Sequence, residues 1–172
     1  MYNFRDYLAF AEKYITLAED NKVNIDWLLI PSVLLSWVAI ESFTNNMLDD
    51  FASLPADLFE LHERALLLEK RVRFLDEGTD KGKFILEKKE YRRLEEKIFF
   101  LLAKFNKGAH LSKGDKLWQD FENLKELRNN LLHPRKNIEF KLDVDIAKQS
   151  LESAKKIIIF IADNVWGKPV EI

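Results

Sequence analysis

The sequence has no cysteine, and its 172 residues include only five glycines, four prolines and three histidines. The absence of cysteine excludes disulfides, a catalytic thiol, iron–sulfur ligation and any cysteine-based zinc site. Scarce glycine and proline exclude a collagen-like or low-complexity chain and disfavour a turn-rich β sandwich. The sequence also lacks a glycine-rich phosphate loop, an HExxH pair and a His/Asp cluster. We therefore expect neither a cofactor nor a metal site.

The charges nearly cancel, because 27 Lys and Arg face 29 Asp and Glu. This balance disfavours a protein that coats nucleic acid or an acidic membrane through its overall charge, but it permits a local basic patch. The most apolar stretch, residues 27–40, is 14 residues long, whereas a membrane-spanning helix needs about 20 apolar residues. Arg5 and Asp6 interrupt the N-terminal segment, which therefore lacks a signal-peptide core. We expect a cytoplasmic protein that does not enter a membrane.

Apolar residues recur at helical spacing along almost the whole chain, which predicts an all-α, up-and-down bundle of about five to six helices. The predicted helices cover about residues 3–19, 31–51, 89–106, 115–133 and 143–166. One more predicted helical stretch follows the second of these and ends near residue 77. Pro31 suits the first turn of the second helix, and Asp115 suits the N-cap of the helix that Pro134 ends. Residues 76–90 are polar and predict a loop or a mobile hairpin. The length predicts one domain over 1–172.

Two polar residues interrupt apolar seams. Arg128 belongs to a seam with spacing 4, 3, 4 and 3 that comprises Leu117, Phe121, Leu124, Arg128 and Leu131. A guanidinium in a core-facing position is costly unless it is paired or the position opens to a cleft or a partner. Glu41 interrupts the second helix, with Asn45 one turn later on the same face. One interpretation pairs Glu41 with Arg128 in a half-buried cleft, with Asn45 in support; in the other, both charged groups reach solvent.

The segment Arg128–Pro134 reads RNNLLHP and brings an arginine and a histidine to the end of one helix. Pro134 pushes the preceding His133 out of the helical conformation, and Asn129, one turn earlier, is placed to orient the ring. Histidine exchanges protons near neutral pH, and arginine binds phosphate through two N–H groups. These residue types cleave a phosphodiester when a ribose 2′-hydroxyl is the nucleophile. Because one histidine does not readily serve as both base and acid, a symmetric pair of chains would supply two.

RNNLLHP resembles the Arg-Asn-x-x-x-His signature of HEPN domains, an all-helical nucleotide- and RNA-binding superfamily of toxin, defence and CRISPR ribonucleases. Upstream, AIESFTNNML is similar to the Glu-bearing core helix of that family. The segment ALLLEKRVRFL is similar to the Lys-bearing segment that follows it in some prokaryotic members. The resemblance covers residues 30–165.

The resemblance implies that Arg128 and His133 are the catalytic pair, with Asn129 as the polar residue after the arginine and Glu41 as a supporting acid. Family members typically dimerise so that two motifs face one cleft and cut RNA without a metal, leaving a 2′,3′-cyclic phosphate, although many bind without cutting. The resemblance thus implies a homodimer, RNA as a ligand and a cognate antitoxin as a candidate partner. Toxin members with a nucleotidyltransferase antitoxin often carry a tyrosine where this chain has Arg135, which argues against tyrosine modification here.

Basic residues precede and follow the motif helix. Together they predict an RNA-binding rim around Arg128 and His133, made of Lys113, Lys116, Arg135 and Lys136.

Three hypotheses remain open at this point. The first is a HEPN-like, metal-independent endoribonuclease that acts as a homodimer in a toxin or phage-defence role. The second is a non-catalytic module whose cleft binds a nucleotide, RNA or a protein. The third is a structural helical protein in which Arg128 and Glu41 form a buried tie.

Overall fold

A computed structural model describes residues 3–20, 25–105, 111–134 and 141–172. They form two compact units: the first comprises the described residues up to Phe43 and from Leu102 onward, and the second is Thr44–Leu101. The elements in chain order are α1 (Phe4–Asp20), α2 (Asp26–Ala52), a 3₁₀ turn (Ala56–Leu58), α3 (Leu61–Leu67), β1 (Lys70–Phe74), β2 (Phe84–Lys89), α4 (Leu94–Phe105), α5 (Lys116–Leu132) and α6 (Val144–Val165). The predicted helical class is confirmed, and the described residues add a small two-stranded sheet of β1 and β2.

In the first unit, α6 packs against both α1 and α5. The buried stripe of α6 follows helical spacing and comprises Ala147, Ser150, Leu151, Ser153, Ala154, Ile157, Ile158, Ile161, Ala162 and Val165. Asp143 caps this helix by accepting the Ile146 N–H at 2.8 Å. Gly167, with φ of 67°, follows its last turn in the left-handed conformation that glycine favours. Both α1 and α6 lie within one residue of their predicted bounds.

The second helix begins earlier than predicted. We expected Pro31 in its first turn, but α2 begins at Asp26 and carries Pro31 inside. The additional turn buries Leu28 and Leu29, which are 1% and 0% exposed. Burial of a leucine side chain contributes about 1.5–3 kcal/mol, which offsets the roughly 3 kcal/mol cost of an internal proline.

The second unit contains the antiparallel hairpin of β1 and β2, where we predicted the end of a helix near Glu77 and a loop or hairpin after it. The helix ends at Leu67, and Glu69 then adopts a positive φ of 47° that breaks the helical path. The strand register pairs Lys70 with Lys89, Val72 with Leu86, Arg73 with Ile85 and Phe74 with Phe84. The connecting turn uses Gly78 and Gly82 at positive φ, which glycine adopts without strain. Because β2 occupies residues predicted as loop and helix, α4 begins at Leu94 rather than near Lys89.

Among the described helices, α2 alone is long and apolar enough to cross a membrane by length and composition. In its most apolar window, 56% of the residues are buried inside the protein. This burial is compatible with the core helix of a soluble protein, as the sequence predicted for residues 27–40.

Candidate functional site at the C-terminal end of α5

Helix α5 ends within the RNNLLHP segment: Arg128–Leu132 form its last turn, and His133 and Pro134 follow it. Its buried face consists of Trp118, Asp120, Phe121, Leu124 and Leu127. Asp115 occupies the N-cap position as predicted, but its side chain accepts the Ser112 N–H at 2.6 Å instead of capping α5. The helix is therefore held by its packed face rather than by a side-chain cap.

His133 leaves the helix as predicted. It is the C-cap residue, with φ of −132° and ψ of 65°, and its N–H donates to the Asn129 carbonyl at 2.8 Å. The next residue, Pro134, has no N–H and therefore ends the hydrogen-bond ladder of α5. His133 is exposed. Its imidazole is thus accessible to a ligand at the end of α5.

Arg128, slightly more than one turn before His133, is half-buried and is held by two neighbours in the first unit. Its Nη1 donates to Asn129 Oδ1 at 2.9 Å, and its guanidinium carbon lies 5.7 Å from the centre of the Trp37 ring. This distance is within the range of a cation–π interaction. Both contacts orient the guanidinium without neutralising its charge, because an aromatic face and a neutral amide carry no full negative charge.

Trp37 is itself fixed on both sides. Its Nε1 donates to Glu41 Oε1 at 2.7 Å, and its ring stacks on Phe121 with centroids 5.3 Å apart. Phe121 in turn contacts Trp118 at 4.9 Å between centroids. Trp37 is 5% exposed and Phe121 is fully buried. The surface under Arg128 is therefore a rigid aromatic stack between α2 and α5.

The predicted ion pair between Glu41 and Arg128 is wrong. Among the residues that the structure describes, Arg128 forms no ion pair, and the Glu41 carboxylate accepts from Trp37 instead. The physical reason is that Glu41 lies one helical turn after Trp37, where an indole N–H is within reach of its carboxylate. The connection between Glu41 and Arg128 is thus indirect and passes through the indole.

Trp37 is the residue that sequence reasoning missed, because a tryptophan at helical spacing is typical of the core. Trp37 is indeed buried, but its edge and one face also contact the two charged residues. The signal was the i, i+4 spacing of Trp37 and Glu41 on one helix.

Two of the supporting polar residues have other partners. Asn129 was predicted to orient the His133 ring, but its side-chain oxygen accepts from Arg128. Asn45 was predicted to support Glu41, and the structure places it in the second unit, where its side-chain oxygen accepts from Lys97 Nζ at 2.8 Å. Lys97 also forms an ion pair with Glu69 Oε1 at 2.7 Å.

Two of the four residues predicted for the basic rim, Lys113 and Lys116, do not lie beside Arg128 and His133 within one chain. Lys113 precedes α5 and Lys116 begins it, so both lie at the opposite end of the helix from His133. A rise of about 1.5 Å per residue separates Lys116 from Arg128 by about 18 Å along the axis. Lys116 is also paired with Asp120 Oδ1 at 2.6 Å. Arg135 and Lys136 lie outside the described residues.

The described residues contain no group of three or more His, Asp or Glu side chains that could hold a metal ion. The side chains that the structure places at the end of α5 are an imidazole and a guanidinium. An exposed imidazole can exchange a proton, and an oriented guanidinium can bind an anion and stabilise developing negative charge.

Comparison of this chain with protein-family models, curated proteins and solved structures finds no match.

Proposed function

We propose that this protein is a HEPN-like, metal-independent endoribonuclease that acts as a homodimer with two RNNLLHP segments at one cleft. The observation that carries the proposal is the end of α5, where an exposed His133 imidazole follows an Arg128 guanidinium that no carboxylate among the described residues neutralises. These two groups supply the proton exchange and the anion binding that phosphodiester cleavage by a 2′-hydroxyl requires.

Arg128 is proposed to bind the scissile phosphate. A guanidinium presents two parallel N–H groups to phosphate oxygens, and here the Trp37 face and Asn129 limit the directions it can adopt. Negative charge on the phosphorus oxygens increases in the transition state, so a pre-oriented cation stabilises that state more than the ground state. Glu41 acts indirectly, because it holds the Trp37 indole.

His133 is proposed as the general acid and base. The imidazole of one chain removes the proton of a ribose 2′-hydroxyl, whose oxygen then attacks phosphorus. The bond from phosphorus to the 5′-oxygen breaks, and the imidazolium of the second chain protonates that oxygen. The products are a 2′,3′-cyclic phosphate and a 5′-hydroxyl, and two histidines allow each to begin in the required protonation state.

The test is cleavage of a structured RNA, in the presence of chelator, by the wild type and by His133→Ala in parallel. We expect the wild type to form cyclic-phosphate ends and the variant to lose at least about 100-fold of that rate, the lower range for one general acid–base group. His133→Asn serves as a second variant that keeps a hydrogen-bonding side chain but cannot exchange protons near pH 7.

Because His133 is exposed, we expect both variants to unfold at the wild-type denaturant midpoint, so a lost rate would not reflect lost folding. Cyclic-phosphate formation at the wild-type rate by His133→Ala would show that this histidine is not the acid–base group. Absence of cleavage by the wild type would show that the site does not cut the RNA tested.

The alternative is a non-catalytic HEPN-like module that binds a nucleotide, RNA or a protein at the same site. One observation favours it: among the described residues, no side chain is hydrogen-bonded to the His133 ring, because Asn129 is engaged by Arg128. An acid–base group that nothing orients is a weaker catalyst than one held in place. This alternative predicts that Arg128→Ala weakens RNA binding. It also predicts that neither the wild type nor any variant forms cyclic-phosphate ends.

A further inference from the structure

A cavity of about 430 Å³ lies between α5 and α6, on a different face of α5 from the Trp37 contact. Ligand sites in proteins commonly have volumes of about 300–1,000 Å³. Asn130 of the RNNLLHP segment lines the cavity, and so do Asn123 and Gln149. The cavity thus reaches the same end of α5 as Arg128 and His133.

The lining of the cavity is rich in hydrogen-bond acceptors. Asp120 and Glu126 contribute carboxylates, and none of the described lining residues is Lys or Arg. The Oδ1 atom of Asp120 already accepts from Lys116 Nζ, so the Glu126 carboxylate is the one that no cation among the described residues pairs with. Ser150 and Ser153 donate their hydroxyl hydrogens to the Ile146 and Gln149 carbonyls at 2.8 Å, so their oxygens can only accept further bonds. A phosphate is disfavoured here, whereas a ligand with N–H donors is favoured.

The rest of the lining favours a flat ring over a free cation. Leu124, Leu127 and Ile146 supply apolar surface, which a charged ammonium would contact only at a desolvation cost. The faces of a heterocycle are compatible with such surface, while its edge can bond to the amides of Asn123, Asn130 and Gln149. These three amides have no hydrogen-bond partner among the described residues.

We infer that the cavity between α5 and α6 binds a nucleobase with an exocyclic amino group, contributed by an unpaired nucleotide of the RNA. Such bases offer an amino donor to the carboxylate and hydroxyl oxygens and a ring nitrogen or carbonyl to the amide N–H groups. Uracil has a carbonyl where cytosine has the amino group. Its carbonyl oxygen would therefore face the carboxylate and hydroxyl oxygens of the cavity, and no hydrogen bond would form between them. The inference rests on the proposed function, and it adds a base preference to a site otherwise described by its phosphate and proton chemistry.

The experiment measures binding of short oligocytidylate and oligouridylate by the full-length protein, using fluorescence anisotropy. The oligonucleotides carry 2′-fluoro groups, which cannot act as the cleaving nucleophile, so binding is measured without cleavage. We expect the wild type to bind oligocytidylate about tenfold more tightly, the effect of one well-made hydrogen bond together with one avoided unpaired acceptor.

Two variants remove the amides of the cavity with little change in volume: Asn130→Leu and Gln149→Met. Each is expected to bring the ratio of the two affinities close to one. Gln119→Met is the matched control. It also removes an amide from α5, but the Gln119 amide lies outside the cavity and donates to the Gly114 carbonyl. It is expected to keep the wild-type ratio. Gln149 is exposed and Asn130 is half-buried, so both variants are compatible with folding.

The outcomes separate this inference from the proposed activity. Equal wild-type affinity for the two oligonucleotides, or no binding of either, overturns the nucleobase site even if the protein forms cyclic-phosphate ends from RNA. An equal loss of discrimination in Gln119→Met overturns it as well. A cytidine preference that depends on Asn130 and Gln149, in a protein that never cleaves RNA, supports the nucleobase site and overturns the ribonuclease.

Discussion

Two cations, Lys97 in the second unit and Arg128 in the first, have opposite environments. The Lys97 side chain is 10% exposed, and its Nζ lies 2.7 Å from a Glu69 carboxylate oxygen and 2.8 Å from the Asn45 amide oxygen. Arg128 is held by an aromatic face and a neutral amide, and among the described residues it has no carboxylate partner. The charge of Lys97 is thus neutralised within the protein, whereas the charge of Arg128 is not.

The difference separates a structural cation from one that is able to bind a ligand. A buried ammonium requires a carboxylate because its desolvation is otherwise too costly. A guanidinium is more weakly hydrated and tolerates a half-buried position on an indole. The positive charge of Arg128 is therefore available to an anion, such as the RNA phosphate of the proposed function, whereas that of Lys97 is compensated by Glu69.

Glu69→Ala is expected to lower the free energy of unfolding by about 3 kcal/mol, because it leaves the Lys97 ammonium buried without a counter-charge. Urea titration monitored by circular dichroism measures the change. The double variant Glu69→Ala/Lys97→Met is the control and should recover most of the loss, since it removes the uncompensated charge. A full loss in the double variant would mean that Glu69 stabilises the unit by some other contact.

Arg128→Ala is expected to lower the rate of RNA cleavage about 100-fold, as loss of one transition-state charge contact does. Its effect on the free energy of unfolding should stay within about 1 kcal/mol, because only a cation–π contact and one exposed hydrogen bond are lost. Arg128→Lys keeps the charge but not the planar pair of donors, and we expect it to remain impaired. A stability loss as large as that of Glu69→Ala would place Arg128 in the structural class with Lys97.

Trp37→Phe is expected to lower the free energy of unfolding by about 1 kcal/mol, because it removes the N–H donor to Glu41 and keeps an aromatic ring against Phe121. RNA affinity should fall about threefold, since phenylalanine attracts a cation less strongly than an indole. Both are measured on the same preparation, by urea titration and by anisotropy with non-cleavable RNA. If the variant loses stability but binds RNA as tightly as the wild type, Trp37 contributes to core packing and not to RNA binding.

Lys148→Met is expected to have the smallest effect near neutral pH, because the Lys148–Glu19 pair between α6 and α1 is exposed and surface pairs contribute little. The hydrogen bond to Glu19 raises the pKa of Lys148 above its ordinary value. Such a pair stabilises the folded state below the pKa of the unfolded lysine, and that contribution is lost as pH rises through the folded pKa. The wild type and the variant should therefore converge in stability only as the pH rises past the ordinary lysine pKa of about 10.4. A difference that grows with pH would contradict this sign.

Local sequence signals were sufficient where they act within one element. Helices α1 and α6 show clear apolar stripes, and their bounds were predicted within one residue. In the structure Asp143 caps α6 and Gly167 follows its last turn. The release of His133 before Pro134 follows from proline sterics alone and is confirmed.

Signals that depend on partners across the chain were misread. The residues RVRF of β1 continue the helical spacing of the leucines before them, so the sequence predicted a helix there. Their pairing with β2 stabilises a strand instead. Pro31 suggested a helix start, but burial of Leu28 and Leu29 extends α2 beyond it. In each case tertiary contacts outweigh a local preference.

The helical class of the chain, the helix that carries RNNLLHP and the departure of His133 from its end all follow from the amino-acid sequence, because they depend on periodicity and on the geometry of proline. The group that faces Arg128 follows from tertiary packing alone. Glu41 and Trp37 are both within reach along α2, and the stacking of the indole on Phe121 places its face under the guanidinium while Glu41 bonds its edge. That choice depends on packing between α2 and α5, which no local pattern encodes.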